Sequence, residues 1–390
     1  MYQHEAELEP FKIEIKQEIL DDLKSRLSRT RWPDEAEGAG WTQGTSLPFM
    51  KELVDYWLNK FDWRAQERRL NSSPQFMTEV KGWKIHFVHL KGKGPKPIPI
   101  LISHGWPDTF AGMLKLVPFL TDPASNGGKG SDSFDVVIPS LPGYGFSGRQ
   151  TRLGWVNRAE ILHALMTERL GYRRFAAQGS DVGAGVTTDL AYLHPEDLIG
   201  IHIHNDLRLP IPMPVRSALS PPEQQYLKLL DGWEDEEGAY GHMQRTKPQT
   251  IAYGLNDSPV GLAAYIVEKF RAWGDTKGDV ESRFTKDELL TTVMIYWVTE
   301  TIGSTMRGYY EGFHNPPMPW RKEKTEVPMG ASLFANDYVF PHPHPRELAE
   351  RLYSIKRWTI MPTGGHFAAS EEPRLLAEEI RTFFRPLRRS

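Results

Sequence analysis

This 390-residue sequence predicts an α/β protein: a mostly parallel central sheet flanked by helices, with a helical lid inserted into it and an N-terminal segment wrapped around it. Three observations carry that prediction. Short β-branched runs alternate with helical stretches from about residue 81 to 205 and again after 320, the pattern of parallel strands joined by crossover helices. Between 206 and 320 the alternation stops and only helical patterns follow. Residues 1–80 hold two amphipathic helical stripes around a glycine-rich loop, and each stripe needs a surface to cover. The expected boundaries are 1–80 for an N-terminal helical and meandering region, 81–205 for the first part of the core, 206–320 for the lid and 321–390 for the rest of the core.

Each element has its own justification. After an extended FKIEI, the stretch from Lys16 to Arg29 places Ile19, Leu23 and Leu27 on one helical stripe, and a second helix aligns Met50, Leu53, Val54, Trp57 and Leu58. WKIHFVHL, IPILIS, FDVVIPS, RRFAAQ and IGIHIH read as strands, rich in β-branched and aromatic residues. Helices are expected from Phe110 to Leu120, Val156 to Leu170 and Gly183 to Leu193. The lid patterns are PPEQQYLKLLDGW, SPVGLAAYIVEKFRAW and KDELLTTVMIYWV. Strand EVPMGASLFA, a helix near HPRELAERLY, strand RWTIMP and helix PRLLAEEIRTFF then close the core. A helical insertion of this kind covers the C-terminal ends of the strands, where open α/β sheets place their ligands.

Composition narrows the function. The net charge of −3 and the ordinary charged fraction of 25% argue against nucleic acid or an anionic membrane as partner. There is no cysteine, which excludes disulfides, thiolate metal sites and a cysteine nucleophile, and fits a reducing compartment. No stretch approaches the ~18 uninterrupted apolar residues of a membrane span. The reading is a cytoplasmic protein without a membrane anchor.

The chemistry concentrates in FAAQGSDVGAGVTTDLAYL, a strand, a turn with Gly179 and Gly183 flanking Asp181, and a helix. This matches the nucleophile elbow of α/β-hydrolases, with Asp where esterases carry Ser. A plain N-cap role for Asp181 is the competing reading. His366, in GGHFAASEEP after the last strand, and Asp337, in SLFANDYVF after the strand before it, complete the order nucleophile, acid, His. A turn aspartate and a solvated loop histidine are the bland alternatives; Asp189 and Glu350 suit the acid less because both fall in expected helices. ISHGWPDTF follows a strand and resembles the HGxP loop, so the backbone N–H groups of Trp106 and Val182 would form an oxyanion hole, with His104 structural. Trp106, Pro107 and Phe110 are expected to line a largely apolar substrate pocket. The glycines of PGYGFS lead into more loop and not a helix, which argues against a phosphate cradle. His202 and His204 share one strand face and PHPHP is rigid, yet neither shows a converging ligand set, so packing is preferred to metal binding.

QGSDVG, HGWP, PGYGFS and GGHFAA together resemble the microsomal-type epoxide hydrolases, and the likeness runs over nearly the whole chain. FKIEI, SRTRWP and YWLNKFDWRAQERRLNSSPQF look like that family's N-terminal region; the membrane anchor of some members has no counterpart here. The resemblance implies two lid tyrosines that protonate the epoxide oxygen, placed at Tyr240 and Tyr309, with adjacent Tyr310 as the alternative register for the second. SLFAND lacks the Pro expected just after the Phe of the family's acid segment.

An aspartate nucleophile that opens an epoxide becomes an alkyl ester, which water can cleave at the aspartyl carbonyl; a serine would be left as an inert ether. His366, oriented by Asp337, would act as base for that water, and no metal or organic cofactor is required. A haloalkane dehalogenase and a catalytically silent binding protein of the same fold, such as a hormone receptor, are the alternatives. The sequence leaves open which epoxide is used, whether for detoxification or biosynthesis, and whether the protein is a homodimer.

Overall fold

The structure, a computed structural model, describes residues 8–208, 216–315, 323–339 and 344–389. Among these residues nine strands build one sheet: β1 (Glu9–Phe11), β2 (Gln75–Val80), β3 (Trp83–Leu90), β4 (Ile98–Ser103), β5 (Phe134–Pro139), β6 (Phe175–Gly179), β7 (Leu198–His204), β8 (Thr325–Phe334) and β9 (Tyr353–Met361). Their spatial order is β1-β2-β3-β5-β4-β6-β7-β8-β9. The pairs from β1 to β5 are antiparallel, and those from β5 to β9 are parallel. The strands at the centre are apolar on both faces, with Ile100, Leu101, Val136, Val137, Ala176 and Ala177 fully buried, as helices on both sides demand.

Strand order reverses at β4, which the chain leaves on one side for β5 and rejoins on the other as β6. Ser103 of β4 pairs with Gly179 of β6, so the loops that follow emerge side by side at the C-terminal edge. Such a switch point is where a doubly wound sheet opens a crevice for ligand. Over it lie the lid helices Pro221–Glu237, Ala239–Thr246, Pro248–Asp257, Pro259–Trp273, Lys286–Thr299 and Ile302–His314. Capping boxes start two of them, Ser220 with Glu223 and Thr285 with Glu288, each satisfying two backbone N–H groups that a helix start leaves without partners.

The N-terminal segment braces this assembly. Helices Gln17–Ser28 and Leu47–Asn59 bury Leu20, Leu23, Leu27, Met50, Leu53, Val54 and Trp57. Arg26 pairs with Asp257, the Thr45 hydroxyl donates to the Ala264 carbonyl, and the Tyr56 hydroxyl donates to Asp287, all three on the lid. Ile19 is only half-buried, and Leu20 takes the expected place in the stripe. Periodicity could not separate them, since 19-23-27 and 20-23-27 are both helical spacings.

Further differences concern extent. β1 and β2 join the sheet from within the first 80 residues, and of FKIEI only Phe11 is strand. The Ile13 and Ile15 N–H groups donate instead to the side chains of Asn71 and Glu67. A third helix, Trp63–Leu70, precedes β2. The helix expected from Phe110 to Leu120 is broken into short pieces, the one from Val156 to Leu170 shifts to a π-helix at Leu165–Arg169, and the helix near HPRELAERLY covers only Arg346–Ala349.

Candidate active site

β6 ends at Gly179, and two residues later Asp181 sits at φ 50°, ψ −124° before helix Val182–Leu193 begins. A non-glycine residue there carries strain of about 1–3 kcal/mol, which the surroundings must enforce. They do so by close approach. A Cβ on Gly179 would lie 2.2 Å from the Gly183 carbonyl oxygen, and one on Gly183 would lie 2.1 Å from the Ser103 carbonyl oxygen. Asp181 stands at the N-cap position, yet its side chain makes no capping bond. Its Oδ1 instead accepts the Trp106 N–H at 2.7 Å. Gly105 is required next to it, because a Cβ there would come within 2.4 Å of the Asp181 Cβ. Val182 opens the helix, so its N–H has no intrahelical acceptor.

The other two members arrive from the strands beyond. His366 Nε2 is 3.9 Å from Asp181 Oδ2, and His366 Nδ1 is 3.3 Å from Asp337 Oδ2. Both His366 and Asp337 are buried. The Asp337 Oδ1 accepts the Val339 N–H at 2.8 Å, so the turn holds without the missing proline. Burial works against a charged His366, but the carboxylates of Asp337, Asp181 and Asp206 outweigh it and raise the imidazole to about 9. The loop is pinned by the lid, with the His366 N–H donating to the Trp273 carbonyl, and by Glu371, whose oxygens accept the N–H groups of Gly365, Phe367 and Asp275.

Asp181 opens into a cavity of about 420 Å³ shared with Arg208, Leu227, Trp233, Tyr240 and Tyr309. Tyr240 stacks on the Trp106 ring at 5.2 Å, and Tyr309 meets both rings edge-on, at 6.2 Å from Trp106 and 6.3 Å from Tyr240. Tyr310 faces elsewhere and stacks on His314. Burial first, then the Asp181 charge, holds both phenols far above their ordinary range, so they stay protonated. A second, smaller void of about 10 Å³ lies among Asp108, Asp181, His204 and His366. That is about the space of one water.

Two expected pocket residues are elsewhere. Phe110 is fully buried against His86 and Phe146, and neither it nor Pro107 lines the cavity at Asp181. Trp106 backs the tyrosines. Sequence reading also missed Arg208, whose Nη2 donates to the Asp181 carbonyl at 2.5 Å and pairs with Asp206, Glu371, and Asp108, which burial pushes up to about 7. His104 is structural, accepting the Leu141 N–H. His202 and His204 bond Ser332 and Gln178. Of PHPHP, residues 341–343 lie outside the described residues. Among the described residues His163, His194 and Asp197 have metal-ligand types. The two imidazoles stack face to face at 3.5 Å and 7°, so their lone pairs run parallel and do not converge on one ion.

Residues 8–113 match the family model described as epoxide hydrolase N terminus, and residues 98–233 match that of the alpha/beta hydrolase fold. A protein of Stigmatella aurantiaca (strain DW4/3-1) is 44% identical over 382 residues, 97% of this chain and 85% of its own. Epoxide hydrolase 1 of Oryctolagus cuniculus is 37% identical over 405 residues, 96% of this chain and 88% of its own. The chain belongs to the epoxide hydrolases. The crystal structure of juvenile hormone epoxide hydrolase from the silkworm Bombyx mori superposes with a TM-score of 0.89 at 28% identity, covering 98% of this chain and 95% of that one. The Aspergillus niger epoxide hydrolase gives 0.83 at 27%, covering 99% of each. In this epoxide hydrolase no helix among the described residues is long and apolar enough to cross a membrane.

Proposed function

We propose that this epoxide hydrolase converts a small-molecule epoxide to a vicinal diol in two covalent steps at Asp181. The observation that carries the reading is the unequal treatment of the two carboxylate oxygens. Oδ1 is held by the Trp106 N–H, while Oδ2 faces His366 in a carboxylate that borders the tyrosine cavity. Oδ2 is then the attacking atom. Its lone pair forms the bond to an epoxide carbon, the broken C–O pair goes to the ring oxygen, and Tyr240 and Tyr309 supply hydrogen bonds and the proton.

The ester carbonyl left behind is Oδ1, already at the donor that must stabilise the tetrahedral oxyanion. Alkylation also cancels the Asp181 charge, one of those that keep the proton on His366. His366 thereby becomes a base for a water, for which the void beside it has room. Attack at Cγ expels the diol, which carries away the former Oδ2.

A single turnover in ¹⁸O-water, followed by peptide mass spectrometry, tests this. The first diol should be mainly unlabelled, with label in the peptide containing Asp181. Label in that first diol would mean direct attack by water on the epoxide and would end the proposal.

A further inference from the structure

We propose that Arg158 is the electrostatic partner of Tyr309, a buried guanidinium that stabilises the phenolate left when the epoxide oxygen takes its proton. The inference rests on the mechanism above and adds to it a positioning residue outside the triad and the lid.

Arg158 opens helix Arg158–Ala164 and is 6% exposed. Its Nε donates to the Pro142 carbonyl at 3.1 Å, and its guanidinium carbon lies 5.7 Å from the centre of the Tyr144 ring. Nη2 is buried without any hydrogen-bond partner. Three other poorly exposed arginines each have a carboxylate: Arg208 has Asp206, Arg283 has Asp275 and Arg381 has Glu378. Among the described residues Arg158 has none within ion-pair distance. A buried charge without a counter-charge is costly, and an arginine cannot avoid the cost by losing its proton.

The side of Arg158 that lacks a partner is the one against the lid. A Cβ on Gly308 would lie 2.7 Å from Nη2, so the glycine before Tyr309 is what allows the guanidinium to reach that turn. The same turn of the lid helix is tied to Gln150, because the Ser304 hydroxyl accepts the Gln150 N–H at 2.8 Å and Arg307 donates to the Gln150 carbonyl at 2.9 Å. Asp181, Tyr240, Tyr144 and Tyr296 all oppose ionisation of Tyr309. Tyr144 and Tyr309 are the groups whose ionisation would favour the charged Arg158.

During ring opening the phenol proton passes to the oxygen leaving carbon, and the negative charge appears on Tyr309. The missing counter-ion of Arg158 is therefore created by the first step. It is removed when the proton released in ester hydrolysis restores the phenol. Arg158 gains more in the transition state than in the resting enzyme, which is what accelerates a step.

The test separates the two steps in rapid-quench experiments with styrene oxide as probe, reading the adduct on the Asp181 peptide. Arg158→Gln keeps a donor for the Pro142 carbonyl and deletes the charge. It should slow adduct formation by about ten- to a hundredfold and leave adduct breakdown within about twofold, with Arg158→Lys recovering most of the loss. In a Tyr309→Phe background the same change should add little. If Arg158→Gln does not fold, Gly308→Ala, which pushes the guanidinium away from the turn, should show the same one-step loss. Equal slowing of both steps, or full additivity with Tyr309→Phe, would make Arg158 a mere strut and overturn the proposal. Absence of any adduct in the unmodified enzyme would instead refute the covalent mechanism itself.

Discussion

Replacing Asp337 by Asn tests the assignment that rests most on geometry. The two groups are 3.3 Å apart, and at an effective dielectric of about 20 a charge pair at that distance attracts by about 5 kcal/mol. Only the part gained as His366 takes the water's proton enters the rate, and about 4 kcal/mol of it corresponds to about 10³-fold. Asn also offers an N–H toward Nδ1, which favours the tautomer unable to accept at Nε2. Ester formation does not use His366 as a base and should change by less than about tenfold, by the same argument that only differential stabilisation counts. The D337N enzyme should therefore accumulate its covalent intermediate, visible by intact-protein mass spectrometry as the enzyme mass plus that of the epoxide. With one raising charge removed, His366 should titrate below about 9. If D337N turns over within tenfold of the parent and no adduct builds up, Asp337 is not the orienting acid. Glu371, half-buried nearby but committed to three backbone N–H groups, would be the next to test.

Two further outcomes concern the scaffold. Gly183→Ala puts a methyl 2.1 Å from the Ser103 carbonyl oxygen, backbone that cannot step aside, and should cost more than about 3 kcal/mol or abolish soluble expression; a variant with near-normal melting temperature and activity would show that the elbow is looser than described. Stability should also fall in acid. Burial lowers His86 to about 3, His104 and His202 to about 4, and His204 well below its ordinary value. Folded values below the unfolded one mean a contribution fully present above about pH 6.5 and lost as pH falls toward 4. Asp108 and Glu371, both raised to about 7, act with the opposite sign. With His89, also lowered to about 4, five groups stand against two and leave about 4 kcal/mol lost per pH unit, at about 1.4 kcal/mol per group. Urea titrations at pH 7, 6 and 5 read this directly, and a flat profile would contradict it.

The parts of the site that could be read from sequence are those whose chemistry is local. The bend at Asp181 needs glycines two residues away on each side, so the motif and the strain are one fact. The Gly-Gly-His loop after a strand is similarly compact. Asp337 was readable from chain order although its segment lacks a proline, because a turn and the Val339 N–H do the holding. What escaped reading depends on residues far apart in the chain. Phe110 was apolar and close to HGWP, but whether it faces cavity or core depends on His86 and Phe146, which no spacing rule connects to it. Arg208 follows β7 without any motif, and its role exists only because the elbow carbonyl is beside it. The sheet's antiparallel edge was hidden for a related reason. β2 is joined to β3 by Lys81 and Gly82, at φ 48° and 78°, a two-residue turn of the kind that suits hairpins, yet Lys in place of Asn or Asp disguised it.

The brace between the N-terminal helices and the lid bears on how the chain reaches its native state. Arg26 and Tyr56 each meet their lid partner across 231 residues. During synthesis, Leu20, Leu23, Leu27, Met50, Leu53, Val54 and Trp57 therefore leave the ribosome long before the surface that covers them exists. The first-made apolar face has to wait, and closing so distant a contact is slow. Yield at high expression rates should thus be governed by protection of this early segment, and a chaperone acting on nascent chains has its natural client here.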